Sequence, residues 1–122
     1  LGNIDTDDRD TLDLKLQGTA IFVDVARLYA LAHGVTATGT RARIEAVGPL
    51  LGVPNGERDA WIGGFEFLQM LRLRAQLDGT TVDDNPNRIA IASLNDIDRR
   101  ILKETLRVLR SLQQRVKLDY SR

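Results

Sequence analysis

An all-α bundle of four main helices is the architecture this sequence predicts, and three observations carry it. Apolar residues recur at helical spacing through four separate stretches. No run alternates with period two for long enough to build a sheet. The periodic stretches are bounded by helix-ending residues: Gly18 and Gly34 flank the first, Pro49 and Pro54 separate the second from the third, and Gly79 follows the third. The expected helices span about 19–33, 41–48, 56–78 and 96–118, behind an irregular N-terminal segment.

The first helix, Thr19 to His33, is apolar almost all round; only Asp24 and Arg27 interrupt it, three residues apart on one face. Such a helix is expected to sit inside something larger. Gly34 stands where a left-handed residue ends a helix. Thr40 is expected to cap the short second helix, and Gly48-Pro49 to end or bend it. Asn55 is the expected N-cap of the third helix, with Glu57 and Asp59 facing the positive end of its dipole. Residues such as Trp61, Phe65, Phe67, Met70, Leu73 and Leu77 spread around nearly the whole circumference of that helix, which makes it the candidate for the central one. Its Gly63-Gly64 pair costs about 1–2 kcal/mol of helix propensity and suits a close crossing or a bend. Asn95, with Asp98 three residues on, opens the fourth helix in a capping-box-like pair. That helix carries an apolar stripe from Ile97 to Val116, with Arg99, Arg100, Lys103, Arg107 and Arg110 opposite.

Composition bounds the function. A chain of 122 residues with 43% apolar content is one domain, long enough to bury about two-thirds of its unfolded surface. Without cysteine there is no disulfide framework, thiolate zinc site or cysteine nucleophile, and one histidine cannot build a two-histidine metal site. Equal numbers of cations and anions, 17 of each, argue against a nucleic-acid partner or a membrane-surface partner. No stretch approaches the roughly 20 apolar residues of a membrane span, and no basic segment leads into an apolar signal core. A cytoplasmic domain is expected. Residues 1–12 read as a linker or the end of a preceding region and 13–122 as the domain, with Leu1 in place of Met suggesting a processed or excised fragment.

The familiar catalytic signatures are missing: no phosphate-binding glycine loop, no nucleophile elbow and no His-Glu-x-x-His. His33 falls at a helix C-terminus, where a dipole interaction is expected rather than catalysis. The acidic run Asp5, Asp7, Asp8, Asp10 and Asp13 fails the calcium-loop template, since position six is not glycine and Leu16 holds position twelve. It reads as solvated linker. No catalytic residue and no metal ligand is assigned.

The informative residues break apolar patterns. Of the 17 cations only Lys15, Lys103 and Lys117 are lysines, which leaves 14 arginines. On the third helix Gln69, Arg72 and Gln76 line one stripe with Phe65. An unpaired buried guanidinium costs several kcal/mol, so Arg72 has to meet a carboxylate, carbonyls, water or an anionic ligand. Two readings stay open. One is an arginine–aspartate network pinning helices together, with Asp13 holding an arginine in place. The other is a pocket in which Lys15, Arg27, Arg43 and Arg72 hold anionic oxygens and Gln76 fixes orientation.

These residues carry a family resemblance. Asp13-Leu14-Lys15, Ala26-Arg27-Leu28-Tyr29-Ala30-Leu31, Thr40-Arg41-Ala42-Arg43-Ile44, Phe65-Glu66-Phe67-Leu68, Leu71-Arg72-Leu73-Arg74-Ala75-Gln76, Asn85, Leu94 and Leu112-Gln113 occur in order. Over about residues 12–118 the chain resembles the nucleotidyltransferase substrate-binding domain family. Those domains are the C-terminal helical modules of bacterial signal-transduction nucleotidyltransferases with CBS or cyclic-nucleotide-binding modules, relatives of protein-PII uridylyltransferase. Ile44 replaces a frequent leucine, and Ala75 a common histidine. The resemblance implies a substrate-positioning domain, non-catalytic by itself, beside an N-terminal nucleotidyltransferase domain of the same chain. That catalytic domain would use Mg²⁺ and a nucleoside triphosphate; no cofactor is expected in the fragment itself. A nucleotide or a protein acceptor is the expected ligand, with a homodimer as a further partner. The alternative is a helical docking or dimerisation module with no small-molecule ligand.

Overall fold

The computed structural model describes residues 10–121 and is 72% helical. The acidic residues Asp5, Asp7 and Asp8 lie outside the described part. Four helices run in chain order: α1 (Ala20–Ala32), α2 (Thr40–Leu50), α3 (Asn55–Asp78) and α4 (Asp96–Tyr120). Helix α1 packs on α2, α2 on α3, α3 on α4, and α4 closes back on α1. The core runs through the centre from Phe22, Val25 and Tyr29 of α1 to Leu68 and Leu71 of α3 and Leu102 and Leu109 of α4. Phe22 meets Phe65 edge to face, their ring centroids 6.0 Å apart, a geometry aromatic quadrupoles favour. Trp61, at the start of α3, is buried in the same core. Among the described residues, no helix is long and apolar enough to cross a membrane.

Several local signals act as expected. Asn95 Oδ1 accepts a hydrogen bond from the Asp98 amide at 2.7 Å, which satisfies an orphan donor at the start of α4. Gly34 and Gly79 adopt φ of +69° and +68° at the ends of α1 and α3, a conformation that side chains with a Cβ resist.

Other expectations need correction. Gly48-Pro49 does not stop α2 at residue 48. The helix runs to Leu50 because Pro49 falls in its last turn, and the Leu51 amide still reaches the Val47 carbonyl at 2.9 Å. Gly39 and Pro54, rather than Thr40 and Asn55, hold the N-cap positions of α2 and α3. Helices α1 and α3 are not buried all round: Leu31 of α1 and Met70, Leu73 and Leu77 of α3 are exposed. With only four helices, each has one covered face.

The N-terminal segment, expected to be irregular, contributes a strand. Strand β1 (Thr11–Asp13) pairs antiparallel with β2 (Arg88–Ala90) in the register Thr11↔Ala90, Leu12↔Ile89 and Asp13↔Arg88. Leu12 and Ile89 both enter the core. A single π-helical turn (Lys15–Thr19) then leads into α1, closed by the Thr19 amide on the Leu14 carbonyl at 2.9 Å. Three-residue strands carry no readable alternation, and their partner lies more than 70 residues away, so only tertiary pairing reveals them.

Candidate functional site

Helix α3 separates two constellations. On one side the connection between α3 and α4 folds back as a polar seam. Asp13 is its hub and is only 2% exposed. Its Oδ1 accepts from the Lys15 and Leu16 amides at 2.9 and 2.7 Å, and its Oδ2 accepts from Asn85 Nδ2 at 3.1 Å. Burial by itself would raise the Asp13 pKa. The amide hydrogen bonds, the Asn85 bond and the nearby Arg88 charge outweigh it, so the carboxyl is held below its ordinary value. Asn85 Oδ1 in turn accepts from the Asn87 amide at 2.8 Å, and the Asn87 carbonyl accepts from the Leu14 amide at 2.7 Å. Arg72 Nε donates to Asn87 Oδ1 at 2.7 Å, and Gln76 Nε2 donates to the Pro86 carbonyl at 2.8 Å. Arg88 Nη1 donates to Thr11 Oγ1 at 2.9 Å.

Of the five residues expected at a ligand, the structure brings Arg72 and Gln76 together, each donating one hydrogen bond to the 82–88 loop. Lys15 is exposed at the start of the π-helical turn. Arg27 is exposed on α1. Arg43 is half-buried on α2, its Nε donating to the Ala37 carbonyl at 2.8 Å. No hydrogen bond or ion pair links Arg27 or Arg43 to the seam among the described residues. The arginine nearest in register to Asp13 is Arg88 across the strand pair; its charge acts on the Asp13 carboxylate, whose hydrogen bonds come from amides and Asn85. His33 is the C-cap residue of α1, 6.5 Å from the Tyr29 ring. Tyr29 itself is buried and donates to Asp119 Oδ2 at 2.6 Å; burial and the carboxylate together push its pKa upward.

On the other side of α3, a groove of about 840 Å³ opens between α3 and α4. Ala60, Gly63, Gly64 and Phe67 form its α3 wall, and Ile101, Thr105 and Val108 its α4 wall. Arg100, Lys103, Glu104 and Arg107 stand at the rim. Arg107 pairs with Glu104 at 2.6 Å, whereas Arg100 and Lys103 carry no ion pair among the described residues. The uncompensated charge is therefore positive. The two glycines differ. A Cβ on Gly64 would meet Thr105 Cγ2 at 3.2 Å and Phe22 Cζ at 3.3 Å, so Gly64 permits the close approach of α1, α3 and α4. A Cβ on Gly63 would meet nothing within 4 Å.

Sequence reasoning missed this groove. The signal was the glycine pair inside a helix, together with Ile97 and Ile101 at the edge of the α4 stripe beside Arg100. It does not tell which glycine faces the core and which faces outward. Among the described residues, no group of three or more His, Asp or Glu side chains stands close enough together to hold a metal ion.

A four-helix bundle braced by a strand clamp and grooved on one face defines a helical binding module by class. Residues 1–120 match the family model described as "Putative nucleotidyltransferase substrate binding domain", and the chain belongs to that family. Neither the curated proteins nor the solved structures contain a match to it.

Proposed function

We propose that the chain is the substrate-positioning module of a signal-transduction nucleotidyltransferase, non-catalytic by itself, and that the α3–α4 groove is where it holds its substrate. The groove is the observation that carries this reading: a concave apolar floor beneath a cationic rim, in a domain whose seam arginine and glutamine are already engaged. Its volume lies within the range of ordinary binding clefts. In this reading the transfer chemistry, Mg²⁺ and the nucleoside triphosphate belong to a nucleotidyltransferase domain, by analogy with protein-PII uridylyltransferase. Arg72 and Gln76 hold the 82–88 loop. Lys15, Arg27 and Arg43 remain proposed contacts for anionic groups of the partner outside the groove.

The test uses the protein in which this chain accompanies its catalytic domain. Gly63→Leu fills the groove without touching the seam. It is expected to raise the KM for the acceptor tenfold or more while leaving kcat and the unfolding midpoint nearly unchanged. An unchanged KM overturns the assignment. The second reading, a dimerisation module, draws on the exposed Met70, Leu73, Ile97 and Ile101. Under it, the same variant halves the mass in solution and leaves KM alone.

A further inference from the structure

We infer that the groove takes an amphipathic polypeptide helix with acidic flanks, carried by the protein that this domain presents for nucleotidyl transfer. The inference rests on the substrate-positioning reading above and makes that substrate a polypeptide rather than the nucleotide.

Three observations favour a helix. The first is Gly63. Glycine within a helix weakens it, and Gly64 is repaid by the helix crossing that it permits. Gly63 has no such internal return, because among the described residues nothing comes within 4 Å of where its Cβ would stand. Its smallness is useful only to something arriving from outside, and a bare backbone patch is what lets a second helix axis come close. The second is the shape of the apolar surface. Beyond the lining, Met70 stands three residues after Phe67 on α3 and Ile97 four residues before Ile101 on α4, and they are 42% and 67% exposed. Ile97 and Ile101 stand four residues apart, so they share one edge of α4. An elongated strip between two antiparallel helices matches the helix-in-groove mode of recognition.

The third observation is the placement of charge. Sites for small anions aim a few buried polar groups inward. Here the one buried polar side chain in the lining, Thr105, turns its methyl toward Gly64, and the charged groups ride on exposed stems at the rim. On the α3 flank, Glu66 and Asp59 are neutralised by Arg41 and Arg58 at 2.9 and 3.2 Å. Arg100 and Lys103 on the α4 flank are not neutralised. An apolar strip edged by unpaired cations selects a partner whose apolar face is bordered by carboxylates.

The experiment titrates the full isotope-labelled chain with two synthetic helical peptides, and separately with magnesium UTP. The peptides share one leucine face and differ only in flanks of glutamate or lysine. The glutamate peptide is expected to shift the backbone amides of Gly63, Gly64 and Ile101 and to bind at least tenfold more tightly than the lysine peptide. Gly63→Leu should weaken it tenfold or more. The Arg100→Glu/Lys103→Glu variant should reverse the preference, a result that a merely sticky surface does not give. Both variants alter exposed positions, and circular dichroism checks that they remain folded. Equal binding of the two peptides, no reversal, or displacement of the peptide by UTP from the same amides overturns the inference. If that happens while Gly63→Leu still raises the acceptor KM in the whole protein, the substrate-positioning reading stands and only the polypeptide assignment falls. If the peptide docks as described but KM is unaffected, the reading falls, and with it the assignment of the helix to the acceptor.

Discussion

The two sides of α3 use their polar and apolar groups in opposite ways. On the seam side, Arg72, Gln76, Asn85, Asn87 and Asp13 satisfy one another and the nearby backbone, leaving their hydrogen bonds largely internal. On the groove side, among the described residues, a Cβ on Gly63 would meet nothing within 4 Å and Arg100 has no ionic partner, while Ile101 is 40% exposed. Residues engaged within the chain explain why it folds. Residues that remain unexplained by the chain's own packing point to what it binds. An arginine in a helix pattern therefore says little until its partner is known, and a glycine with no neighbour can say more.

That contrast predicts large stability effects at the seam, smaller ones at the helix crossing and a change of sign at the groove. Asp13→Ala removes the carboxylate oxygen that accepts from the Lys15 and Leu16 amides at the start of the π-helical turn, and strands Asn85. It is expected to cost about 2–4 kcal/mol in urea unfolding. The same residue sets an acid limb. Its folded carboxyl lies below the ordinary 3.8, so the stability it contributes is present above that value and is lost as pH falls through the folded pKa. Asp13→Asn should flatten the loss of stability that sets in as pH falls below the ordinary carboxyl value of 3.8. Flat acid behaviour in the native chain would show that the seam is not the brace described.

Gly64→Val comes next. Its methyl groups would push into Thr105 and Phe22, at an expected cost of about 1–3 kcal/mol. Gly63→Ala is the smallest effect and has the opposite sign. It should raise stability by about 0.5–1 kcal/mol, since the new methyl meets open space and the helix loses a glycine. Responses of opposite sign at the two neighbours in thermal unfolding would sharpen the contrast. A loss at both would erase it.

The parts of the fold that depend on nearby residues were legible in the sequence. Asn95 with Asp98, Gly34 and Gly79 announce helix ends through chemistry acting within four residues. Pro49 misleads because a proline in a last turn forfeits little bonding, so the boundary is decided by what α2 packs against. The strand pair was invisible because Leu12 and Ile89, which face each other across it, stand 77 residues apart in the sequence. The candidate site divides in the same way. The stripe of Arg72 and Gln76 was visible from periodicity, but its partner, the 82–88 loop, was not. The glycine pair was visible, but the orientation that makes Gly63 a floor and Gly64 a crossing is set by the rotation of α3 within the bundle.

Trp61 is the sole tryptophan, and it lies in the core about 200° around α3 from Gly63 at 100° per residue. Its near-ultraviolet emission is thus an optical gauge of the molten or intact interior, largely blind to a guest on the far surface. One cuvette can follow denaturation by intrinsic light while a dye on the added peptide follows occupancy, each signal free of the other.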